Sequence, residues 1–205
     1  MVREIFKGTQ LSEDDFEIIN SKFKRLFVYK GKILLSAGQF VQYQYYVYSG
    51  CLRSYFLDES GKVHTIQFAV NNWWISDYTA FFSGGRSLLY IDCLQDAEIY
   101  QISKYHLDQL YMEIPRIETF FRIKMELFFV SFQKRILSDL AMSAKQKYCQ
   151  FISRYPNIEG KIRNYHLASY LGITTESLSR IRKELTRRDR KDKSGEISDS
   201  SDYFV

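Results

Sequence analysis

The period of apolar and polar positions changes several times along the chain. Ser12 precedes an acidic first turn, and Phe16, Ile19 and Phe23 follow at the spacing of one helix face, so a helix is predicted over about 13–24. From Leu26 to Ile102 the helical period is lost. Short runs rich in Val, Ile, Tyr and Phe alternate with turn signals: YKGK at 29–32, SAG at 36–38, DESGK at 58–62, SGG at 83–85 and QDAE at 95–98. Runs and turns at roughly ten-residue spacing predict a sandwich or barrel of antiparallel strands. Within it CLRSYFLDESGKVHTIQF, residues 51–68, reads as one hairpin. The helical period returns at Ser103, which is placed to cap KYHLDQLYME before Pro115.

Residues 116–140 contain no Gly or Pro and are apolar almost all round, from Ile117, Phe120 and Phe121 through Leu127, Phe128, Phe129 and Phe132 to Ile136, Leu137 and Leu140. A surface helix needs only one apolar stripe. Two apolar faces imply two partners, most simply the chain's own β domain and a second copy of the helix. The alternative is a central helix buried within one subunit. Residues 143–157, SAKQKYCQFISRYPN, read as a further helix that stops before Pro156.

The stretch HLASYLGITTESLSRIRKEL, residues 166–185, has the pattern of a helix-turn-helix. Such a motif needs small residues where its helices cross, a residue tolerant of left-handed backbone in the turn, and apolar side chains that seat the second helix. Counting from Asn164, Leu167 and Ala168 face the crossing, Leu171 lies beside them, Gly172 turns and Ile173 plugs the turn. Thr174 can cap the second helix, whose positive N-terminal end suits Glu176. At about 100° per residue, Leu178, Ile181 and Leu185 share an inward arc of about 60°. Glu176, Ser179, Arg180, Lys183 and Arg187 lie opposite, with Thr175 and Arg182 on the flank. This is side-chain chemistry suited to DNA: Arg can bond guanine O6 and N7, Glu can accept from the cytosine amino group, and Ser adapts to either. Thr174, Thr175, Arg182, Lys183 and Arg187 suit the phosphate backbone. A solvated polar face is the plain alternative; the Gly-centred turn and the apolar spacing favour DNA.

Charge sharpens this assignment. The 205 residues carry a net +5, yet residues 161–191 alone hold nine Lys or Arg against three Asp or Glu. The basic character is thus concentrated on the helix-turn-helix and leaves the remainder close to neutral. With 45% hydrophobic residues, including 16 Tyr and 16 Phe, the chain can bury a substantial core. Cys51, Cys93 and Cys149 lie far apart, without metal-ligand spacing. No apolar run reaches the roughly 18 residues of a membrane span, and MVREIFKGTQ lacks an apolar leader, so a cytoplasmic protein without membrane association is expected.

On these residues the chain resembles the Crp/Fnr family of bacterial transcription regulators. The likeness covers a leading helix, a β-roll of cyclic-nucleotide-binding type, a long dimer helix and a C-terminal winged helix-turn-helix, an α+β architecture. It implies a sensor domain over 1–115, a dimerisation helix over 116–140 and a DNA-binding domain with a charged tail over 141–205. The family's Fnr branch commonly carries Glu-x-x-Ser-Arg on its recognition helix, and Glu176-Ser177-Leu178-Ser179-Arg180 matches it. The resemblance implies that Glu176, Ser179 and Arg180 contact base edges of double-stranded DNA, that a homodimer forms through 116–140, and that RNA polymerase is a partner.

Three departures from the family pattern stand out. Where cyclic-nucleotide binders carry Phe-Gly-Glu and then Arg-Ser/Thr-Ala, this chain has Trp74-Ile75-Ser76-Asp77 and then Arg86-Ser87-Leu88. Asp shortens the reach of Glu, and Ser replaces the Gly that lets backbone approach a ligand. Trp74, Ser76, Asp77, Arg86 and Ser87 are therefore the candidate lining of a pocket that does not bind cAMP, for a small-molecule effector of unknown identity. No cofactor and no metal are expected, because the N-terminal cysteine cluster of Fnr-type iron-sulfur sensors is missing and His64, His106 and His166 are scattered. Finally, the tail from Thr186, TRRDRKDKSGEISDSSDYFV, reads as charged and mobile in part, with GEIS at 195–198 its one strand-like fragment. Arg187, Arg188, Arg190 and Lys191 within it either touch phosphates or keep the tail solvated. Two other functions compete with DNA reading: a cupin-type enzyme, which needs clustered His and Glu ligands, and a ligand-binding regulatory subunit of a partner protein. The first lacks the ligands, the second leaves 164–187 unexplained, and a non-enzymatic regulator is expected.

Overall fold

Ser12 lies in extended backbone before helix α1 (Glu13–Lys22); its hydroxyl accepts from the Asp15 amide while the Asp15 carboxylate accepts from the Ser12 amide. This reciprocal capping starts the helix where the sequence predicts it. Phe16 and Ile19 are buried along its inner face, and Phe23 just past its end. The computed structural model describes residues 2–156, 158 and 160–196. It separates into two units, Met1–Ser138 and Asp139–Val205.

Six antiparallel strands follow α1: β1 (Lys24–Val28), β2 (Ile33–Leu35), β3 (Tyr43–Leu57), β4 (Val63–Ala69), β5 (Trp73–Ile75) and β6 (Tyr90–Ser103). The long strands β3 and β6 pair with each other, from Tyr43 opposite Ser103 to Tyr55 opposite Tyr90. β5 adds to the first half of β3 and β4 to its second half, while β2 and β1 divide β6 in the same way. The register between β3 and β6 shifts repeatedly between Val47 and Leu52. Bulges bend and twist a strand, and here they fold one sheet over on itself as a roll. The hairpin expected at 51–68 is formed by β3 and β4 around the 58–62 turn.

Gly50 sits at that bend, inside β3. Its φ is 94°, and a Cβ there would stand 2.5 Å from the Asp96 carbonyl oxygen and 2.6 Å from the Ala97 Cα. Two main chains therefore meet at a place where only hydrogen fits. A few residues on, Arg53 and Asp92 face each other in register. The guanidinium donates Nε to Oδ1 at 3.0 Å and Nη2 to Oδ2 at 2.6 Å, and it covers the Tyr55 ring. Arg53 is buried, so this two-bond geometry replaces its lost hydration.

Helix α2 (Tyr78–Ser83) interrupts the sheet, and α3 (Lys104–Glu113) leaves β6 directly, capped by Ser103. Val47, Leu52, Ile75, Ile91 and Ile99 from the sheet join Leu107 and Leu110 of α3 and Ile117 and Phe121 of α4 in one core. Helix α4 (Pro115–Ala141) has 27 residues, about 40 Å at 1.5 Å per residue. Its first turns are seated by Ile117 and Phe121. Beyond them Ile123, Leu127, Phe129, Val130, Phe132, Ile136, Leu137 and Leu140 are all exposed. Arg135 of this helix donates to the Ile66 and Thr65 carbonyls of β4.

The second unit holds α5 (Ala144–Arg154), α6 (Asn164–Leu171) and α7 (Thr175–Glu196). Ser143 and Gln146 form a capping box at the start of α5, which buries Tyr148 and Phe151. Phe151, Tyr155 and Tyr170 close an aromatic contact beside α6. One expectation is corrected here. The charged stretch after Leu185 does not leave the helix: α7 continues without a break to Glu196. The reason is local, since 186–194 contains no Gly or Pro and is rich in Arg and Lys, which are good helix formers. Of the strand-like fragment at 195–198, Gly195 and Glu196 end this helix, and 197–198 lie outside the described residues.

Candidate nucleic-acid interface

The turn between α6 and α7 is built by Gly172, at φ 68° and ψ 29°. The Ile173 amide donates to the Ala168 carbonyl at 3.0 Å and the Gly172 amide to Ser169 at 3.3 Å, the paired bonds of a Schellman motif. Leu167, Ala168 and Leu171 of α6 and Leu178 and Ile181 of α7 are buried. Ile173, expected to plug the turn, is half-buried. Thr174 Oγ1 accepts the Ser177 amide at 3.2 Å and caps α7.

This seating turns a defined set outward. Glu176, Ser179, Arg180, Lys183 and Arg187 are exposed, and together with Thr175 and Glu184 they line one shallow concavity along α7. The Glu176 carboxyl is held below its ordinary range by its own backbone amide and by the Thr174 and Thr175 hydroxyls. It is an anion, an acceptor only, at neutral pH. Ser179 Oγ donates to the Thr175 carbonyl at 2.9 Å, which holds the hydroxyl against the helix. Arg180 is exposed, and its Nη2 reaches Ser177 Oγ at 3.5 Å. Lys145 of α5 pairs with Glu184 and so offsets the second acid on this helix.

Arg182 stands apart from the set. Expected among the phosphate contacts, it instead donates Nη1 to Asn164 Oδ1 at 2.7 Å and Nε to Tyr148 Oη at 3.2 Å. It thereby ties α7 to both α5 and α6. The wheel held the signal: Arg182 lies only about 40° from Leu178, on the edge of the buried arc. Its partners Asn164 and Tyr148 carry no mark in the sequence that sets them apart from other polar residues.

The candidate effector lining in the first unit is engaged internally. Asp77 is buried; it caps α2 through the Ala80 amide at 3.2 Å and accepts from Ser87 Oγ at 2.9 Å and the Leu88 amide at 3.1 Å. The short Asp side chain suits an N-cap at this spot, and the cap takes the carboxylate away from the expected pocket. Ser76 Oγ donates to the Tyr43 carbonyl at 3.0 Å. Trp74 is edge-on to Tyr46 and Phe121, with centroids at 5.3 and 5.0 Å. Arg86 alone of the five is exposed; it donates to the Gly38 carbonyl at 2.8 Å and lies over the Phe40 ring. The five residues are thus spread over a cap, a strand contact, an aromatic cluster and a loop clamp. Among the described residues, no group of three or more His, Cys, Asp or Glu is placed to hold a metal. No helix there is long and apolar enough to cross a membrane.

Residues 25–113 match the cyclic nucleotide-binding domain family. Among solved structures the chain is similar to CLP, the c-di-GMP-responsive global regulator of Xanthomonas campestris (TM-score 0.68, 14% identity, covering 87% of this chain and 93% of that one). It is also similar to a putative transcriptional regulator of the Crp/Fnr family from Eubacterium rectale (0.67, 18%, 87% and 85%). A third is FixK2 from Bradyrhizobium japonicum (0.71, 15%, 82% and 86%). No curated protein matches the chain in sequence. The chain therefore has the mixed α and β fold of these transcription regulators, with a cyclic-nucleotide-binding-type roll as its first unit.

Proposed function

We propose that the protein is a homodimeric, sequence-specific DNA-binding regulator of the Crp/Fnr type. Glu176, Ser179 and Arg180 read base edges in the major groove, while Thr174, Thr175, Lys183 and Arg187 hold phosphates. One observation carries this reading: the exposed polar set on α7 is presented by a crossing in which Leu178 and Ile181 of α7 and Leu167, Ala168 and Leu171 of α6 are buried. A recognition helix needs that combination of a rigid mount and an outward donor and acceptor array. Arg180 presents a planar fork suited to guanine, and ionised Glu176 is an acceptor suited to a cytosine amino group.

The exposed apolar face of α4 is the dimer surface. Nine large apolar side chains are exposed over residues 123–140, too many to leave in water on one helix, and a second copy of the same helix buries those on the side it packs against. A two-fold dimer then reads a pseudo-palindrome whose half-sites lie about one helical turn apart. The first unit is a sensor or a dimer support that does not bind cAMP, because Asp77 and Ser76 are bonded internally. An effector that favours one arrangement of the two reading helices would shift their spacing through α4. RNA polymerase is the partner such a regulator addresses.

The test is Arg180→Ala on a selected site and on random duplex DNA. Preference for the selected site is lost, by about 1–3 kcal/mol, while salt-sensitive binding to random DNA persists. Equal loss on both would remove base reading from Arg180.

A further inference from the structure

Two apolar rows run along the exposed part of α4, and they are not equivalent. Ile123, Leu127, Val130, Lys134 and Leu137 follow one another at spacings of four, three, four and three; all five are exposed. At about 100° per residue they share an arc of about 80°. The arc is centred about 130° round the helix from Ile117, Phe121 and Arg135, which face the chain's own core and β4. Phe129, Phe132 and Ile136, with half-buried Met125 ahead of them, form a second row about 150° from the first. Between the rows lie Gln133 and the paired Arg122 and Glu126.

Alternating spacings of four and three are those of the seam between coiled helices. The first row keeps them outward to Phe120 and Ala141, whereas the second meets Arg122 and Asp139 three positions beyond its ends. The first row is therefore the longer seam and the better fit to a second copy of the helix. In heptad terms Leu127 and Lys134 take position a, and Ile123, Val130 and Leu137 position d. A dimer that reads one duplex with two second units needs its α4 helices parallel, and in a parallel pair each a residue faces its own mate. Lys134 thus meets the same residue of the second copy. Residues 127–138 contain no Asp or Glu, so α4 supplies no counter-ion within a turn of it.

We propose that Lys134 is the charge inside the dimer seam, and that its repulsion across the two-fold axis holds self-association at a moderate affinity, which screening or removing the ammonium raises. The proposal rests on the reading of α4 as the dimer surface given above and names the row that forms it. A single Lys at an a position specifies register and number of strands at a cost in stability. That function is needed here, because Leu at a with Ile at d otherwise favours more than two strands. Two ammoniums facing each other also make the dimer respond to ionic strength in the opposite sense to DNA binding: salt screens the repulsion and tightens the dimer, while it weakens contacts to phosphate.

The experiment compares the full chain with K134M and with F129Q/I136Q by sedimentation equilibrium, Met and Gln being chosen because they keep helix propensity; circular dichroism checks the fold. Sodium chloride is set at about 0.1 M and about 1 M, between which the screening length falls from about 10 Å to about 3 Å. K134M is expected to lower the dissociation constant at least about 10-fold at the lower salt, because it replaces a charge in the seam by an apolar side chain of similar length. Raising the salt is expected to tighten the wild-type dimer and to change K134M much less. F129Q/I136Q is expected to stay within about 3-fold of wild type, the size of effect that surface substitutions reach. A wild type that dimerises while K134M matches it, or dimerises less, overturns the proposal. So does a dimer lost in F129Q/I136Q, which would move the seam to the second row and leave the dimer reading standing. Wild type and K134M both monomeric at every concentration would remove the dimer reading and the proposal together.

Discussion

Arg182 Nη1 donates to Asn164 Oδ1 at 2.7 Å, so the middle of the second helix of the motif is fastened to the first residue of the helix that supports it. The same guanidinium reaches Tyr148 Oη and lies over that ring, 5.8 Å from its centroid. One side chain therefore ties α7 to both α5 and α6. Arg182→Ala is expected to lower the stability of the second unit by about 1–2 kcal/mol, through lost charged hydrogen bonds and lost stem packing. Chemical denaturation measures this. Arg182→Lys is expected to recover little, because an ammonium cannot bridge both oxygens in the fork geometry.

Gly50 and Gly172 both lie at positive φ, yet they predict different costs. A methyl at Gly50 meets the Asp96 carbonyl and Ala97 Cα well inside contact distance, while at Gly172 it meets nothing within 4 Å. Gly50→Ala is expected to cost about 3 kcal/mol or more, from backbone strain plus a clash between strands. Gly172→Ala carries only the left-handed penalty of about 1–2 kcal/mol. Denaturant midpoints of the two variants check the order, and equal losses would contradict the steric account.

The Arg53–Asp92 pair predicts a non-additive result. Asp92→Leu alone leaves a buried guanidinium without its carboxylate and is expected to cost about 3–5 kcal/mol. Arg53→Met with Asp92→Leu removes both charges together and is expected to recover most of that loss. A double-mutant cycle by urea denaturation measures the coupling.

Asp58 predicts a pH dependence. Its carboxyl is held well below the ordinary carboxylate range by the Ser60 hydroxyl, then by His64 and by the Lys62 and Ser60 amides. A group lowered on folding stabilises the protein above its unfolded pKa, and that contribution is lost as pH falls through the folded value. Asp58→Asn is therefore expected to lower Tm at pH 7. The difference from wild type should shrink progressively below about pH 4, where the unfolded chain's Asp begins to take up protons. A difference independent of pH would assign the effect to the turn's geometry rather than to its charge.

Leu127 and Leu137 on α4 test the dimer. Both are exposed, at 61% and 59%. Leu127→Glu with Leu137→Glu is expected to weaken self-association at least 100-fold, since burying each leucine contributes about 1.5–3 kcal/mol. Sedimentation velocity reads this directly, and far-ultraviolet circular dichroism should be unchanged.

Much of this molecule was legible in its sequence, for reasons that differ from place to place. Ser12, Ser103 and Ser143 mark helix starts because capping is a local interaction within four residues. The turn at Gly172 and the seating of Leu178 and Ile181 follow from helical periodicity, which is also local. Arg53–Asp92, Arg182–Asn164 and Arg135 on β4 were not legible, because each joins residues brought together only by the fold. The residues around Trp74 show the same limit from the other side: Asp77 stands where the motif has a ligand group, and its bonds to the Ala80 amide and to Ser87 at the α2 cap are made only by the fold. The continuation of α7 is hard to see in sequence because a charged run suits a solvated tail and a helix alike, Arg and Lys being good helix formers.

Selection of bound duplexes from random DNA with the purified protein tests the central claim most directly. A dimer that reads with Glu176, Ser179 and Arg180 predicts recovery of a symmetric motif with half-sites about ten base pairs apart, and its collapse with Arg180→Ala. A pool that stays featureless at moderate salt, or a motif that survives Arg180→Ala unchanged, would contradict the account.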